Sequence, residues 1–291
     1  MSFQLVVNLL INGIVEGLII ALPALALTLV MGICKFPNAS AGDTMTLGAY
    51  AALALHAGGL PMFFVAVLGA MIVSALVSWV AYRLIFSRIT QAPMVASLLA
   101  AIGLAFVIRS VLASSVGPEA RTFNLPLVRA WNFDGIRVLP TDLMIAAVAL
   151  TAVAAVFCLL GLTDAGRKLR AVADNSDLAR LSGIRSRRLM WLLWAMAGAL
   201  AGLGGVLIGV KGVLTPEIGW EFVLPAFAAV ILGGIGSPVG AVVGAVVMGI
   251  AQELSVPLFG PSYKLVVAFA VMVVVLLFRP AGLFGSVEKV R

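Results

Sequence analysis

The sequence predicts an all-α polytopic membrane protein. Three observations carry that prediction. The 291 residues are 63% apolar and only 11% charged, where ordinary soluble domains carry about 25% charged residues. Long stretches, Leu143–Leu162 and Leu189–Val210 among them, hold no charge, and an uncharged run of about 18 residues or more can cross a bilayer as a helix. The basic residues gather at the ends of such runs. The net charge of +7 therefore marks membrane edges and does not point to nucleic acid. Residues 1–291 read as a single integral domain with about eight or nine transmembrane segments, some of them short, broken or re-entrant. The start, MSFQLVVNLLINGIVEG, lacks a basic n-region and an A-x-A site and does not read as a cleaved signal peptide.

The first span is expected over Val6–Ile33. Asn8, Asn12 and Glu16 are four apart and share one helix face. A polar stripe in a membrane helix faces the bundle or a water-filled cavity. Glu16 is thus a candidate pathway residue, with a structural tie to a neighbouring helix as the competing reading. Next, Pro37, Gly42 and Asp43 interrupt the helical pattern. Irregular backbone at membrane depth is tolerated only inside protein or beside a cavity. The segment from Pro37 to Asp43 therefore reads as a re-entrant or half-helix element, with Asn38, Gly42 and Asp43 as pathway candidates.

Spans follow at Pro61–Phe86 and Ile89–Ile108, the second closed by Arg109. His56 has no companion cluster of His or Cys and reads as interfacial. Cys34 and Cys158 lie in or beside apolar spans and read as buried thiols without disulfide or metal. The loop 110–140 holds Glu119, Arg121, Arg129 and Asp134, with Trp131 as an interface anchor. Its sparse, mixed charge fits the outer side.

A polar island, GRKLRAVADNSDLARLSGIRSRR from Gly166 to Arg188, separates two uncharged spans. Arg167, Lys168, Arg170, Arg180, Arg185, Arg187 and Arg188 face only Asp164, Asp174 and Asp177. So basic a loop, 163–188, stays on the cytoplasmic side. A short helix is expected inside it. Asp174 and Asn175 are N-cap candidates, Asp177 favours the helix start, and Gly183 is a stop. Leu178, Leu181 and Ile184 form its apolar stripe. So short a helix needs something to dock on; a basic loop that only fixes topology is the plainer alternative.

Beyond the span Leu189–Val210 and a short outer loop, Phe222–Gln252 runs thirty-one residues without a charge, too long for one span of about 20. GGIGSPVG, Gly233–Gly240, breaks it. With the last span at Tyr263–Phe278 and Arg279, Lys289 and Arg291 on a cytoplasmic tail, the expectation is two short helices, Phe222–Gly234 and Pro238–Leu254, hinged at depth, with Glu253 near their outer end. Interrupted apolar stretches in both halves point to a transport site, which adds Gly233, Gly234, Gly236 and Pro238 to the pathway candidates. Free helix ends suit a carboxylate, while close helix packing explains Gly205 with Gly209 and Gly240 with Gly244 equally well. The side of the N-terminus stays open: it is outside if Thr44–Leu60 crosses fully, inside if that segment is re-entrant.

Three blocks carry a family resemblance. They are the island, with Gly166-Arg167, Arg170-Ala171, Ala173-Asp174, Ala179 and Gly183-Ile184; ALAGLGGVLIG at Ala199–Gly209; and AAVILGGIGSPVGAVVGAVVMGI at Ala228–Ile250. The island resembles the cytoplasmic coupling loop of ABC-importer permease subunits of the LivH type, the branched-chain amino-acid permeases. The resemblance implies that Gly166, Arg167, Arg170, Asp174, Leu178, Ala179, Leu181, Gly183 and Ile184 dock on a separate ATPase. It further implies a second, LivM-type permease subunit, two ATPase subunits, a periplasmic binding protein and a bacterial inner membrane. ATP and magnesium would belong to the ATPases and no cofactor to this chain. Near Asn38 the family's aromatic and His are absent, which leaves the substrate open among branched-chain amino acids, urea, amides and aromatic acids.

The residues agree with a transport role driven from outside the chain. No glycine precedes a lysine, so no G-x-x-x-x-G-K-[ST] phosphate loop exists. A secondary transporter or channel for a small polar solute would need its own ion relay, and only Glu16, Asp43 and Glu253 are candidates. An intramembrane enzyme lacks an H-E-x-x-H motif and a nucleophile–base pair.

Overall fold

A computed structural model describes residues 3–56, 60–89, 92–123, 125, 128–133 and 135–285. Asp134, Lys289 and Arg291, read above, lie outside the described residues. Helix α1 (Phe3–Cys34) is the central pillar. Beyond the polar stripe of Asn8, Asn12 and Glu16 it is apolar on every side but for Thr28, and Gly17–Met31 are buried without a break. A helix apolar on every side belongs inside a bundle. It ends where Lys35 takes a left-handed φ of 60° and Pro37 follows.

Seven described helices are long and apolar enough to cross a membrane. They are α1; α3 (Leu60–Ala81), continued by a π turn at Tyr82–Phe86; α4 (Met94–Val116); α5 (Pro140–Leu162); α8 (Ser186–Lys211); α10 (Pro238–Phe259); and α11 (Lys264–Phe278), preceded by a 3₁₀ turn at Pro261–Tyr263. Two are shorter, α2 (Ala41–Leu55) and α9 (Ile218–Gly233). At 1.5 Å per residue, the 15 residues of α2 rise about 22 Å, short of a bilayer's hydrocarbon core of about 30 Å. The remaining helices, α6 (Asp164–Asp174) and α7 (Ser176–Leu181), form the island.

Contacts fix the direction of each pass. Glu16 of α1 reaches Lys211 at the end of α8, while Cys34 at the other end of α1 meets Met190 near the start of α8. α1 and α8 are therefore antiparallel, and α1 starts on the side away from the island. There Asn8 donates to the Gly135 carbonyl and accepts from the Arg137 amide. Those partners belong to a small hairpin of β1 (Trp131–Phe133) and β2 (Ile136–Val138), with Asn132 opposite Arg137. Arg121 and Leu214 exchange backbone hydrogen bonds of 2.9 and 2.7 Å, tying the loop after α4 to the loop after α8. α2 begins buried in the bundle and ends at His56, whose ring lies edge-on to Phe123 on that same far side. The short α2 thus completes the return pass, and the start of α1 lies opposite the island.

Several boundaries differ from the sequence reading. α4 continues past Arg109 to Val116, so Arg109 does not close a span but sits within a helix, carried there by an ion pair described below. Gly233–Gly240 is not a hinge at depth. Leu283 and Phe284, just beyond the end of α11, donate to the Leu232 and Gly233 carbonyls, and Gly236 N donates to Thr28 Oγ1 near the end of α1. The break is therefore the turn of a helical hairpin on the island side, with Gly234 at φ 104° and Gly236 at φ 84°. α10 is a full-length crossing rather than a half-helix. The segment that begins inside the bundle is α9, whose Gly219 is buried against Gly42. Cys158 is exposed on the outer face of α5 rather than buried.

Helix packing rests on missing side chains at a few crossings. A Cβ on Gly205 would overlap the backbone of Met45, and one on Gly219 the backbone of Gly42. Small residues let membrane helices approach this closely, and here they let α2 lie against both α8 and α9.

Candidate functional site

On the island, Thr163 caps α6 by accepting from Gly166 N at 3.1 Å. Leu169 and Val172 are buried on the inner face of α6, and a Cβ on Gly166 would overlap the carbonyls of Leu159 and Leu160. α6 is thereby fixed to the end of α5, and Gly166 is the point of closest approach. Arg167 and Asp164 form an exposed ion pair and Arg170 is exposed.

α7 follows directly. Its N-cap is Asn175, whose Oδ1 accepts from Asp177 N at 3.1 Å and Leu178 N at 2.9 Å. Asp174 is not the cap; it ends α6. Gly183 takes φ 79° and turns the chain, so the Ile184 amide bonds back to the Ala179 carbonyl at 3.0 Å. The expected three-residue stripe is split by that turn. Ile184 packs inward with the core and Ala179 is buried, while Leu178 and Leu181 are 63% and 85% exposed. Two leucines thus stand outward on a six-residue helix held at both ends. These two leucines are the candidate contact surface of α7.

Inside the bundle, the starts of the two short helices meet. Asp43, in the first turn of α2, has a fully buried side chain. Arg109 of α4 grips it at two points, Nε to Oδ1 at 2.9 Å and Nη2 to Oδ2 at 3.2 Å. The guanidinium lies between Phe106 and Trp220, with its carbon 5.5 and 5.3 Å from the ring centres. Beside it, Gly219 N at the start of α9 donates to Thr46 Oγ1 at 3.0 Å. Asn38 Oδ1 accepts from the amide and hydroxyl of Ser40. A cavity of about 10 Å³, lined by Ala26, Asn38, Ala41, Thr44, Ser78 and Gly198 among others, has room for about one water. Ser74 and Ser78 are also buried, against Gly198 and Gly202 of α8, so a polar seam runs where α2, α3 and α8 meet beside α1. Buried polar side chains in membrane helices line solute routes or hold helices together.

The predicted pathway residues therefore separate. Asn38, Gly42 and Asp43 come together at the seam. Gly233, Gly234, Gly236 and Pro238 belong to the island-side turn instead. Glu16 pairs with Lys211 at 2.7 Å and Glu253 with Lys264 at 2.5 Å, so each acid ties two elements together. Arg109, Thr46, Gly219 and Trp220 were missed. The one available signal was a lone cation in the stretch Ala105 to Leu112, which is otherwise apolar apart from Ser110.

Comparison with known proteins agrees with this architecture. Residues 9–276 match the family described as branched-chain amino acid transport system / permease component. The chain is 29% identical to the high-affinity branched-chain amino acid transport system permease protein BraD of Pseudomonas aeruginosa, over 97% of each chain. It is 30% identical to the corresponding permease protein LivH of Salmonella typhimurium, over 96% of each. PsaBC from Streptococcus pneumoniae, solved in complex with Fab, shares the fold at a TM-score of 0.50 and 15% identity, covering 97% of this chain and 95% of that one. The chain belongs to the branched-chain amino acid transport system permease family.

Proposed function

We propose that this chain is the translocation subunit of an ABC importer for branched-chain or chemically related amino acids. Separate ATPase subunits drive it, a periplasmic protein delivers its cargo, and a second permease subunit completes the pore in a bacterial inner membrane. The island and the C-terminal end face the cytoplasm. ATP and its magnesium are bound by the ATPases.

The observation that carries this reading is the outward display of Leu178 and Leu181 on a helix fixed to two spans. Movement imposed on α7 passes through α6 into α5 and through the Gly183 turn into α8. α8 packs on α1, α2 and α3, the helices around the polar seam. The cavity beside Asn38 and Thr44, about 10 Å³, is too small for an amino acid, so cargo passes only when these helices part. The partner must favour one of the two membrane conformations for its nucleotide cycle to drive that change.

The test is co-purification of the ATPase with the permease. Leu178→Asp with Leu181→Asp removes two apolar contacts, each about 1.5–3 kcal/mol when fully buried. The double variant is expected to lose at least about a hundredfold in ATPase affinity while the permease stays in the membrane. Unchanged capture would refute docking at α7. A self-sufficient ion-coupled transporter fits less well, because Glu16, Asp43 and Glu253 each have a cationic partner.

A further inference from the structure

The geometry points to a specific anionic phospholipid site where α3 and α8 reach the island-side surface. Its headgroup lies on Arg185, Arg187 and Arg188, and its acyl chains lie along α3.

A groove of about 500 Å³ lies beside the island, lined by Arg180, Ile184, Arg185, Ser186, Arg187, Arg188 and Trp191. Four of these side chains are cationic and none is acidic. Among the described residues none of the four arginines forms an ion pair; the ion pairs there join Arg109, Arg167, Lys211 and Lys264 to acids. Such a concentration of unpaired guanidinium groups repels itself and favours a bound anion.

The floor of the groove is aromatic and extends toward α3. Arg187 lies over Trp191 at 5.8 Å, Trp191 meets Trp79 edge-on at 6.0 Å, and Arg83 lies over Trp79 at 5.6 Å. Tryptophans seated this way mark the headgroup level of a membrane. Below Arg83 the same face of α3 exposes Leu68, Ile72, Leu76 and Val80, each about one helical turn from the next. The surface is therefore basic at one end and apolar along its length. A soluble phosphate would use only the first part, and a diacyl phospholipid uses both. Basic pockets between membrane helices on the cytoplasmic side recognise anionic headgroups in this manner. The groove adjoins the end of α7 through Arg180 and Ile184, but the exposed Leu178 and Leu181 are not among its lining residues.

The test uses the purified permease with its partner subunits, delipidated and then titrated with phosphatidylglycerol or phosphatidylcholine of matched acyl chains, with bound lipid counted by native mass spectrometry. The wild type is expected to retain phosphatidylglycerol preferentially. Arg187→Gln with Arg188→Gln is expected to weaken that retention on the order of thirtyfold, since each basic group near an anionic surface contributes roughly fivefold. Arg187→Lys with Arg188→Lys keeps most of it, which separates loss of charge from misfolding. Lys168→Gln with Arg279→Gln, an equal loss of charge elsewhere on the island-side surface, leaves it nearly unchanged. An equal fall in both Gln pairs would mean diffuse attraction and overturn the site. So would displacement of the lipid by millimolar inorganic phosphate, or loss of a protein subunit with lipid retention unaltered.

Discussion

Arg109 and Asp43 are joined by a two-point ion pair inside the bundle, with the Asp43 side chain fully buried and that of Arg109 18% exposed. The pair links α4 to the first turn of α2, where the two short helices begin. Removing one partner of a buried pair leaves an uncompensated charge and costs about 3–5 kcal/mol. Asp43→Ala and Arg109→Ala are each expected to destabilise the protein by that order. The double variant should lose less than the sum. A double-mutant cycle on thermal unfolding in detergent checks this, and strictly additive losses would show that the two do not interact.

Glycines in this chain divide by what surrounds them. Gly205 and Gly219 are pressed against the backbone of α2, whereas Gly103 and Gly161 have nothing within 4 Å of an added methyl. Gly205→Ala and Gly219→Ala must push helices apart and are expected to lower the melting temperature or abolish insertion. Gly103→Ala and Gly161→Ala are expected to be neutral or stabilising by up to about 1 kcal/mol, the ordinary helical preference for alanine. Expression level and melting temperature of the four variants separate the classes.

Glu16 and Lys211 tie the far-side ends of α1 and α8. Both are partly exposed, at 16% and 30%, so the pair contributes about 1 kcal/mol or less. Glu16→Gln is expected to leave uptake within about twofold of wild type. Exchange of the two charges, Glu16→Lys with Lys211→Glu, should restore whatever stability the single change removes. A collapse of uptake in Glu16→Gln at unchanged protein level would place this acid on the solute route after all.

Asn175 holds the first turn of α7 through two amide hydrogen bonds. Asn175→Ala is expected to cost about 1 kcal/mol of local helix stability. Asn175→Asp, which keeps the acceptor, should behave as wild type. Hydrogen exchange at 176–181 reads the fraying directly.

Much of this architecture was legible in the pattern of charge. The runs flanking the island became α5 and α8 within a few residues, because an uncharged stretch of that length has no stable alternative to a membrane helix. The cap at Asn175 and the stop at Gly183 were local backbone signals. What was not legible depended on contacts between distant elements. Arg109 looked like the end of a span, because nothing in its neighbourhood reveals that Asp43, sixty-six residues earlier, supplies its counter-charge. The break at Gly233–Gly240 was plain, but its depth depends on which residues pack against it, and Leu283 and Phe284 lie far along the chain. α6 escaped notice although Ala165, Leu169 and Val172 share one helix face, because the charge density of the island made the whole segment read as loop.

Labelling at Leu178 reads the docking of α7 and its side of the membrane in one experiment. In a background with Cys34 and Cys158 replaced by alanine, Leu178→Cys is exposed to a membrane-impermeant maleimide on inside-out and right-side-out vesicles, with and without the ATPase subunits. Labelling is expected only from the cytoplasmic face, with strong protection when the ATPases are bound. Labelling from the opposite face, or equal reactivity in the assembled complex, would contradict that expectation.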